Sequence, residues 1–155
     1  MTKVILIEDE PAALNYLIEI LTSTYRGKLQ ILGTSDTVEG GIALIIDTKP
    51  DLVFLDIELK DGIGFEILNH FSENVNFEVI FTSGHIDYKE KAMDYFAFYF
   101  LSKPIQMEKF TRVIDRYLLK KTAFDFEKYQ VEEAVRKFRQ GDVKAPKFES
   151  QTEPG

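Results

Sequence analysis

Lys3-Val-Ile-Leu-Ile-Glu-Asp-Glu-Pro-Ala-Ala-Leu-Asn-Tyr-Leu-Ile-Glu-Ile-Leu21 changes its hydrophobic period part-way along. The β-branched-rich run from Lys3 to Ile7 ends in three acidic residues. Pro11 then opens a segment with Leu14, Leu17, Ile18 and Leu21 at helical spacing. A strand followed by a helix is the reading, and the unit recurs. Leu29 to Thr34 precedes a helix from Val38 to Asp47; Asp51 to Ile57 precedes one from Gly64 to Phe71; Phe77 to Thr82 precedes one from Tyr88 to Tyr95. A fifth run, Phe98 to Leu101, leads through Lys103-Pro104 into a helix from Gln106 to Lys120 with Phe110, Val113, Ile114, Tyr117 and Leu118. Leu52-Val-Phe-Leu55 is apolar at every position, as a parallel strand covered on both faces requires. The predicted fold is therefore a doubly wound α/β domain with a five-stranded parallel sheet, over residues 3–121.

Beyond that domain, Thr122 to Gln140 shows one more helical face, with Val131, Val135 and Phe138 among charged residues. This 122–140 extension either docks on the domain, prolongs the fifth helix or meets a partner chain. Residues 141–155, with Pro146, Pro154 and two glycines, read as a flexible linker or tail.

Composition narrows the classes of function. The chain has 155 residues, 13 Phe and 7 Tyr, enough for one sizeable core. It has no Cys, which excludes disulfides and thiolate zinc sites, and its start lacks the character of a secretory signal. The longest apolar stretch, Tyr95 to Leu101, is seven residues, against the roughly 20 that span a membrane. A cytoplasmic protein without membrane association is expected. Residues 1–105 carry 8 Lys/Arg against 17 Asp/Glu, and no basic run that would attract nucleic acid phosphates. Direct nucleic acid binding is not expected.

The strand ends carry the chemistry. Glu8-Asp9-Glu10 follows the first run, Asp56 the third and Lys103 the fifth. In an open parallel sheet the carboxyl ends of the strands form the ligand crevice near the point where strand order reverses. Carboxylates converging there suit one divalent cation and one phosphoryl group.

Ile5-Leu-Ile-Glu-Asp-Glu-Pro11, Asp51-Leu-Val-Phe-Leu-Asp56, Asp61-Gly62, Phe81-Thr-Ser-Gly84 and Lys103-Pro104 together resemble the receiver domain of two-component response regulators, a flavodoxin-like (βα)5 fold. The likeness covers roughly residues 3–120. Phe81-Thr-Ser and Leu101-Ser-Lys-Pro-Ile105 are more similar to receivers that precede LytTR-type DNA-binding domains.

The resemblance implies roles. Asp56 would accept the phosphoryl group from a histidine kinase. That fits the chemistry of a strand-end carboxylate acting as nucleophile, although a lone strand-end Asp more often caps a loop or helix. Magnesium would be held by Asp9, Asp56 and the main-chain carbonyl of Glu58, with Glu8 nearby through water; such hard oxygen donors suit the ion. Glu8 stands where many receivers have Asp. Glu10 reads more simply as an acidic residue at a helix N-terminus. Lys103, before a peptide bond that is cis in the family, would bind phosphoryl oxygens, and Ser83 would hydrogen-bond one of them. Ser83 and Phe100 would form the switch, with core burial the plainer reading of Phe100. Glu58 and His85 occupy positions that tune self-dephosphorylation, and Lys60 replaces a frequent Pro. By the same likeness the chain is not a conventional enzyme but a phosphoryl acceptor with self-phosphorylation and self-dephosphorylation activity.

The aromatic-rich Tyr95-Phe-Ala-Phe-Tyr-Phe100 suggests a homodimer or partner-protein face built from the fourth helix, fifth strand and fifth helix. Transcriptional output would come from a domain outside this chain. Three alternatives stand against this reading. One is a receiver-like interaction module that works without phosphorylation; another is a magnesium-dependent phosphohydrolase using Asp56-Ile-Glu58. A flavodoxin-like FMN carrier is the third, but no Ser/Thr/Gly-rich phosphate loop follows the first strand.

Overall fold

The computed structural model describes residues 1–141. Five parallel strands, β1 (Thr2–Ile7), β2 (Leu29–Ser35), β3 (Leu52–Asp56), β4 (Glu78–Ser83) and β5 (Tyr99–Ser102), form one sheet in the order β2-β1-β3-β4-β5. Between them run α1 (Pro11–Thr24), α2 (Val38–Thr48), α3 (Phe65–Phe71) and α4 (Lys89–Asp94, after a 3-10 turn at Ile86–Tyr88). The helix α5 (Met107–Arg139) follows β5. The doubly wound sheet expected from the sequence is present, with no strand limit shifted by more than one residue.

The chain divides into a unit from Met1 to Thr111 and a second beginning at Arg112. In the first, alternate strand residues serve opposite faces, the consequence of a two-residue side-chain period. Ile5, Ile7, Val53, Leu55, Val79 and Phe81 share one cluster with Val38, Ile45, Phe65, Ile67 and Leu68 of α2 and α3, and with Ala92 and Phe100. The other parity, Val4, Leu6, Leu52 and Phe54, is equally buried, and Phe54 stacks on Phe110 with ring centroids 5.5 Å apart. Both faces are thus covered, which is why these strands read as unbroken apolar runs.

The strands end together on one edge. Ile7 is level with Leu55, and Asp56 with Thr82, so the residues after β1, at the end of β3 and at the end of β4 are neighbours by register. The loop after Asp56 is held from several sides. Ile57 N–H donates to the Thr82 carbonyl at 3.2 Å, Gly64 N–H donates to the Ile57 carbonyl at 2.6 Å, and Glu58–Leu59 pairs antiparallel with Gly62–Ile63. Lys60, where a stiffening Pro was absent, pairs instead with Asp36 at 2.6 Å.

In the second unit, α5 continues past residue 121 to Arg139, so the 122–140 segment prolongs the fifth helix, one of the three placements its sequence left open. No Gly or Pro occurs between Met107 and Arg139, so nothing in the backbone stops the helix. It ends at Gly141, whose φ of 75° supplies the left-handed residue that terminates many helices. Its surface carries the ion pairs Lys121–Asp125 (3.4 Å) and Arg136–Glu133 (2.8 Å). The tail expected over 141–155 lies, past Gly141, outside the described residues.

A β-carbon on Gly64 would collide with the main-chain carbonyl oxygen of Asp56, a backbone atom held by the sheet. Gly64→Ala is expected to cost about 1–3 kcal/mol in urea denaturation. Gly84→Ala, whose β-carbon would meet nothing within 4 Å, is expected to change stability by less than about 0.5 kcal/mol.

Candidate functional site

Glu8 follows β1 and Asp56 closes β3, adjacent strands, so two acidic side chains meet at the sheet edge with 2% and 3% of their surface exposed. Pro11 starts α1 directly after Glu10, which keeps Asp9 and Glu10 in the tight connection beside them. Oxygens of Glu8, Asp9, Glu10 and Asp56 all lie within 4.8 Å of one another. Lys103, after β5 and before a cis peptide bond to Pro104, reaches into this group. Its ammonium lies 2.8 and 3.0 Å from the two Glu8 oxygens, 3.0 Å from Glu10 Oε1 and 3.1 Å from Asp56 Oδ2.

One ammonium cannot balance four carboxylates, and burial makes the imbalance costly. Asp56 is pushed up to about 8, first by burial and then by its hydrogen bond with Glu8 and the Glu8 charge, against the pull of Lys103. Burial also works to raise Glu8, but hydrogen bonds with Asp56, Lys103 and the Glu10 N–H hold it below the ordinary carboxylate value. For Lys103 burial disfavours the charge, yet its hydrogen bond to Glu8, the Asp56 charge and Glu10 hold it above the ordinary lysine value.

The donor set suits a divalent cation. All candidate ligands are hard oxygens, as magnesium prefers. Glu8 Oε1 is buried and, although 2.8 Å from the ammonium, has no hydrogen bond of acceptable angle. An orphaned buried carboxylate oxygen facing three others is the environment that a cation or its water ligand would satisfy.

The remaining expected residues take defined places around this centre. Ser83, at the end of β4, is 1% exposed; its hydroxyl accepts from the His85 N–H at 3.0 Å, and its carbonyl accepts from the Lys103 N–H at 2.8 Å. Phe100 lies in the core cluster at 3% exposure, beside Phe81 by register. Glu58 is exposed, its N–H donating to Asp56 Oδ1 at 3.3 Å, while its carboxylate meets His85 Nε2 at 3.1 Å. The two positions assigned to dephosphorylation tuning thus touch each other across the mouth of the crevice.

Sequence reasoning left two contributions unread. Glu10, read as a helix-start acid, is a Lys103 partner. Asp61 was quoted without a role, yet its carboxylate accepts from the Val38 and Glu39 N–H groups at 2.6 and 3.1 Å, capping α2 from the β3–α3 loop. The hydrogen bond from the Val38 N–H, helped by that from Glu39, holds the Asp61 carboxyl below its usual value against the opposing effect of burial. An aspartate followed by glycine marks a turn, and nothing local signals a helix start 22 or 23 residues away.

The raised Asp56 value gives a signed expectation for metal-free protein. Below about pH 4 Asp56 is protonated both folded and unfolded; between about 4 and about 8 only the folded chain retains the proton, so this stabilisation is lost as pH rises through about 8. Asp56→Asn has no such slope. In chelator its melting temperature is expected to exceed that of the native chain by about 4 °C or more at pH 8, with a smaller gap at pH 5, read by calorimetry. Equal gaps at both pH values would remove the buried-carboxylate explanation.

Comparison with known proteins identifies the family and the fold. The family model described as a response regulator receiver domain matches residues 4–115. An uncharacterized response regulatory protein of Vibrio cholerae serotype O1 is 30% identical over 126 residues, which are 81% of this chain and 52% of that protein. The sensory transduction protein LytT of Bacillus anthracis is 32% identical over 118 residues, 76% of this chain and 47% of its own. The chain therefore spans about half the length of these relatives. Among solved structures, the signal receiver domain of a modulated diguanylate cyclase from Desulfovibrio desulfuricans G20 superimposes with a TM-score of 0.66 at 25% identity, covering 79% of this chain and 98% of that one. A DNA-binding response regulator of the LuxR family from Staphylococcus aureus shares the fold, with a TM-score of 0.67 at 24% identity over 76% of this chain and 99% of its own. With the family model spanning most of the doubly wound domain, this chain belongs to the response regulator receiver domains of two-component systems, with LytT sensory transduction proteins among its relatives.

Proposed function

We propose that this receiver is a phosphorylation-dependent switch whose acceptor is Asp56. Receiver domains in general bind magnesium in an acidic pocket and are phosphorylated by histidine kinases. The observation that carries the proposal here is the Lys103 ammonium 3.1 Å from Asp56 Oδ2 while it also holds Glu8 and Glu10. A cation already beside the attacking oxygen is placed to meet the oxygens of an incoming phosphoryl group.

In this reading Asp9, Asp56 and the Glu58 carbonyl would hold magnesium, with Glu8 nearby through water. The bound ion supplies positive charge that lets one anion approach another. The Asp56 carboxylate oxygen attacks phosphorus, the bond from phosphorus to the donor imidazole nitrogen breaks, and that nitrogen keeps the electron pair. Lys103 exchanges carboxylate contacts for phosphoryl oxygens. The Ser83 hydroxyl, which accepts from the His85 N–H, turns to donate to one of those oxygens, drawn by the negative charge that the phosphoryl group brings into the crevice. Phe100 responds through packing alone, since its ring has no hydroxyl. Glu58 and His85 control water at the mouth and so set the lifetime of the acyl phosphate.

The switch would act in the cytoplasm, changing a protein-binding surface on the α4–β5–α5 side and regulating transcription through an output domain beyond this chain. The half-length match to LytT proteins supports that placement. No helix among the described residues is long and apolar enough to cross a membrane.

Intact-mass analysis after incubation with acetyl phosphate tests the chemistry. The native chain with magnesium is expected to gain one phosphoryl group. Chelator, Asp56→Asn and Lys103→Ala are each expected to reduce that gain by at least about a hundredfold in initial rate. Failure of native protein to be labelled or to bind beryllofluoride, beside a control receiver that does both, would point to an interaction module that works without phosphorylation.

A further inference from the structure

Three connections meet at the crevice edge of the sheet, and only two of them carry the candidate cation ligands. Ser35, Ile7 and Leu55 are level on β2, β1 and β3. The Glu8 N–H donates to the Ser35 carbonyl at 2.8 Å, so the acidic cluster after β1 hangs from the end of β2. After β3, the arms Glu58–Leu59 and Gly62–Ile63 pair antiparallel and leave Lys60 and Asp61 at the tip of a short hairpin. That tip reaches past the end of β1 to the β2–α2 connection. Lys60 Nζ lies 2.6 Å from Asp36 Oδ2, and the Asp61 carboxylate accepts from the Val38 and Glu39 N–H groups at 2.6 and 3.1 Å.

We propose that the β2–α2 connection is a strut that sets the gap between the two walls of the cation site, with Asp61, and secondarily Asp36, as its positioning residues. One wall is Glu8 and Asp9, fixed through the Ser35 carbonyl. The other is the hairpin that bears Glu58, fixed through Asp61 to the first turn of α2. Neither Asp61 nor Asp36 is itself a ligand. The inference rests on the magnesium reading given above, because the gap matters only where both walls bind one ion. Magnesium demands near-ideal octahedral geometry, so a wall displaced by about 0.5 Å binds it less well.

The hairpin needs such a support. With two paired residues in each arm it is too short to hold its own shape. Leu59 anchors it in the core cluster at 8% exposure, while Glu58, Lys60, Asp61 and Ile63 around it are exposed. Asp61 outweighs Asp36 in this role. A carboxylate that accepts two main-chain N–H bonds has a fixed orientation, whereas the Lys60–Asp36 pair has side chains 60% and 50% exposed and is screened by solvent.

The start of α2 also has a cap of its own, which separates helix stability from the strut. The Thr37 hydroxyl accepts from the Gly40 N–H at 2.9 Å, a bond that stays within the helix start.

Titration calorimetry of the full chain with magnesium chloride, at one fixed pH, tests the strut, and melting in chelator records the stability that each variant loses. Asp61→Ala is expected to raise the magnesium Kd at least about fivefold. Thr37→Ala removes a cap from the same helix and is expected to change Kd by less than about twofold. Asp61→Asn loses the charge but keeps an acceptor for the Val38 N–H, and is expected to stay within about twofold of the native chain. Three results would overturn the proposal while leaving the magnesium reading intact. An unchanged Kd in Asp61→Ala would mean that the gap is set elsewhere. Equal weakening by Asp61→Ala and Thr37→Ala would assign the effect to α2 stability, and equal weakening by Asp61→Ala and Asp61→Asn would assign it to lost charge. A native chain that binds no magnesium, or whose binding survives Asp9→Asn, would remove the magnesium reading and the strut with it.

Discussion

The Lys103 ammonium is the interaction on which the rest of this receiver's crevice depends. Glu8 and Asp56 are both buried at the sheet edge, and two carboxylates removed from water repel each other unless something positive lies between them. Lys103 supplies that charge from β5, two strands away from β3, and also gathers Glu10. The sheet order is what permits this. With β1 beside β3, Glu8 meets Asp56 by register, and the chain after β5 passes the same edge to bring lysine to both. The compensation is incomplete, as the raised Asp56 and the unbonded Glu8 Oε1 show. The site is therefore built with spare affinity for positive charge.

That deficit connects structure to the proposed switch. In that proposal, a cation and a phosphoryl group would change the charge balance that Lys103 now maintains, and the lysine would divide its contacts differently. Its own N–H is bonded to the Ser83 carbonyl, and the Ser83 hydroxyl is bonded to the backbone of His85. In the proposed switch, a shift at Asp56 would reach the ends of β4 and β5 through these two short links. Phe100 lies behind them in the core, level with Phe81, where its movement requires repacking of close-packed neighbours. The Glu58–His85 pair closes the other side of the mouth, exposed enough to open without disturbing the core.

Much of this was legible in the sequence because it depends on local period and on strand ends. The alternation of β-branched runs with helical spacing set the layers, and Pro11 marked the start of α1 immediately after the acidic cluster. Asp56 and Lys103 were visible because each terminates an apolar run. What escaped was set by contacts between distant residues. Glu10 and Lys103 are 93 positions apart, and the Asp61 carboxylate serves a helix that begins 23 residues earlier. Neither has a local signal. The helical pattern over 122–140 was seen, but its fusion with α5 was not chosen, because polar residues at Lys120, Lys121 and Thr122 interrupt the apolar face without interrupting the backbone. Helix continuity follows from the absence of Gly and Pro, whereas burial follows from side chains, and the two part company here.

The most direct test of the central claim is a crystal structure of the chain with magnesium and beryllofluoride. The expected result is beryllofluoride on Asp56, a cation held by Asp9, Asp56 and the Glu58 carbonyl, and Lys103 moved from the carboxylates onto a fluoride. A structure at saturating ligand with Asp56 unmodified and Lys103 still bound to Glu8 and Glu10 would contradict it.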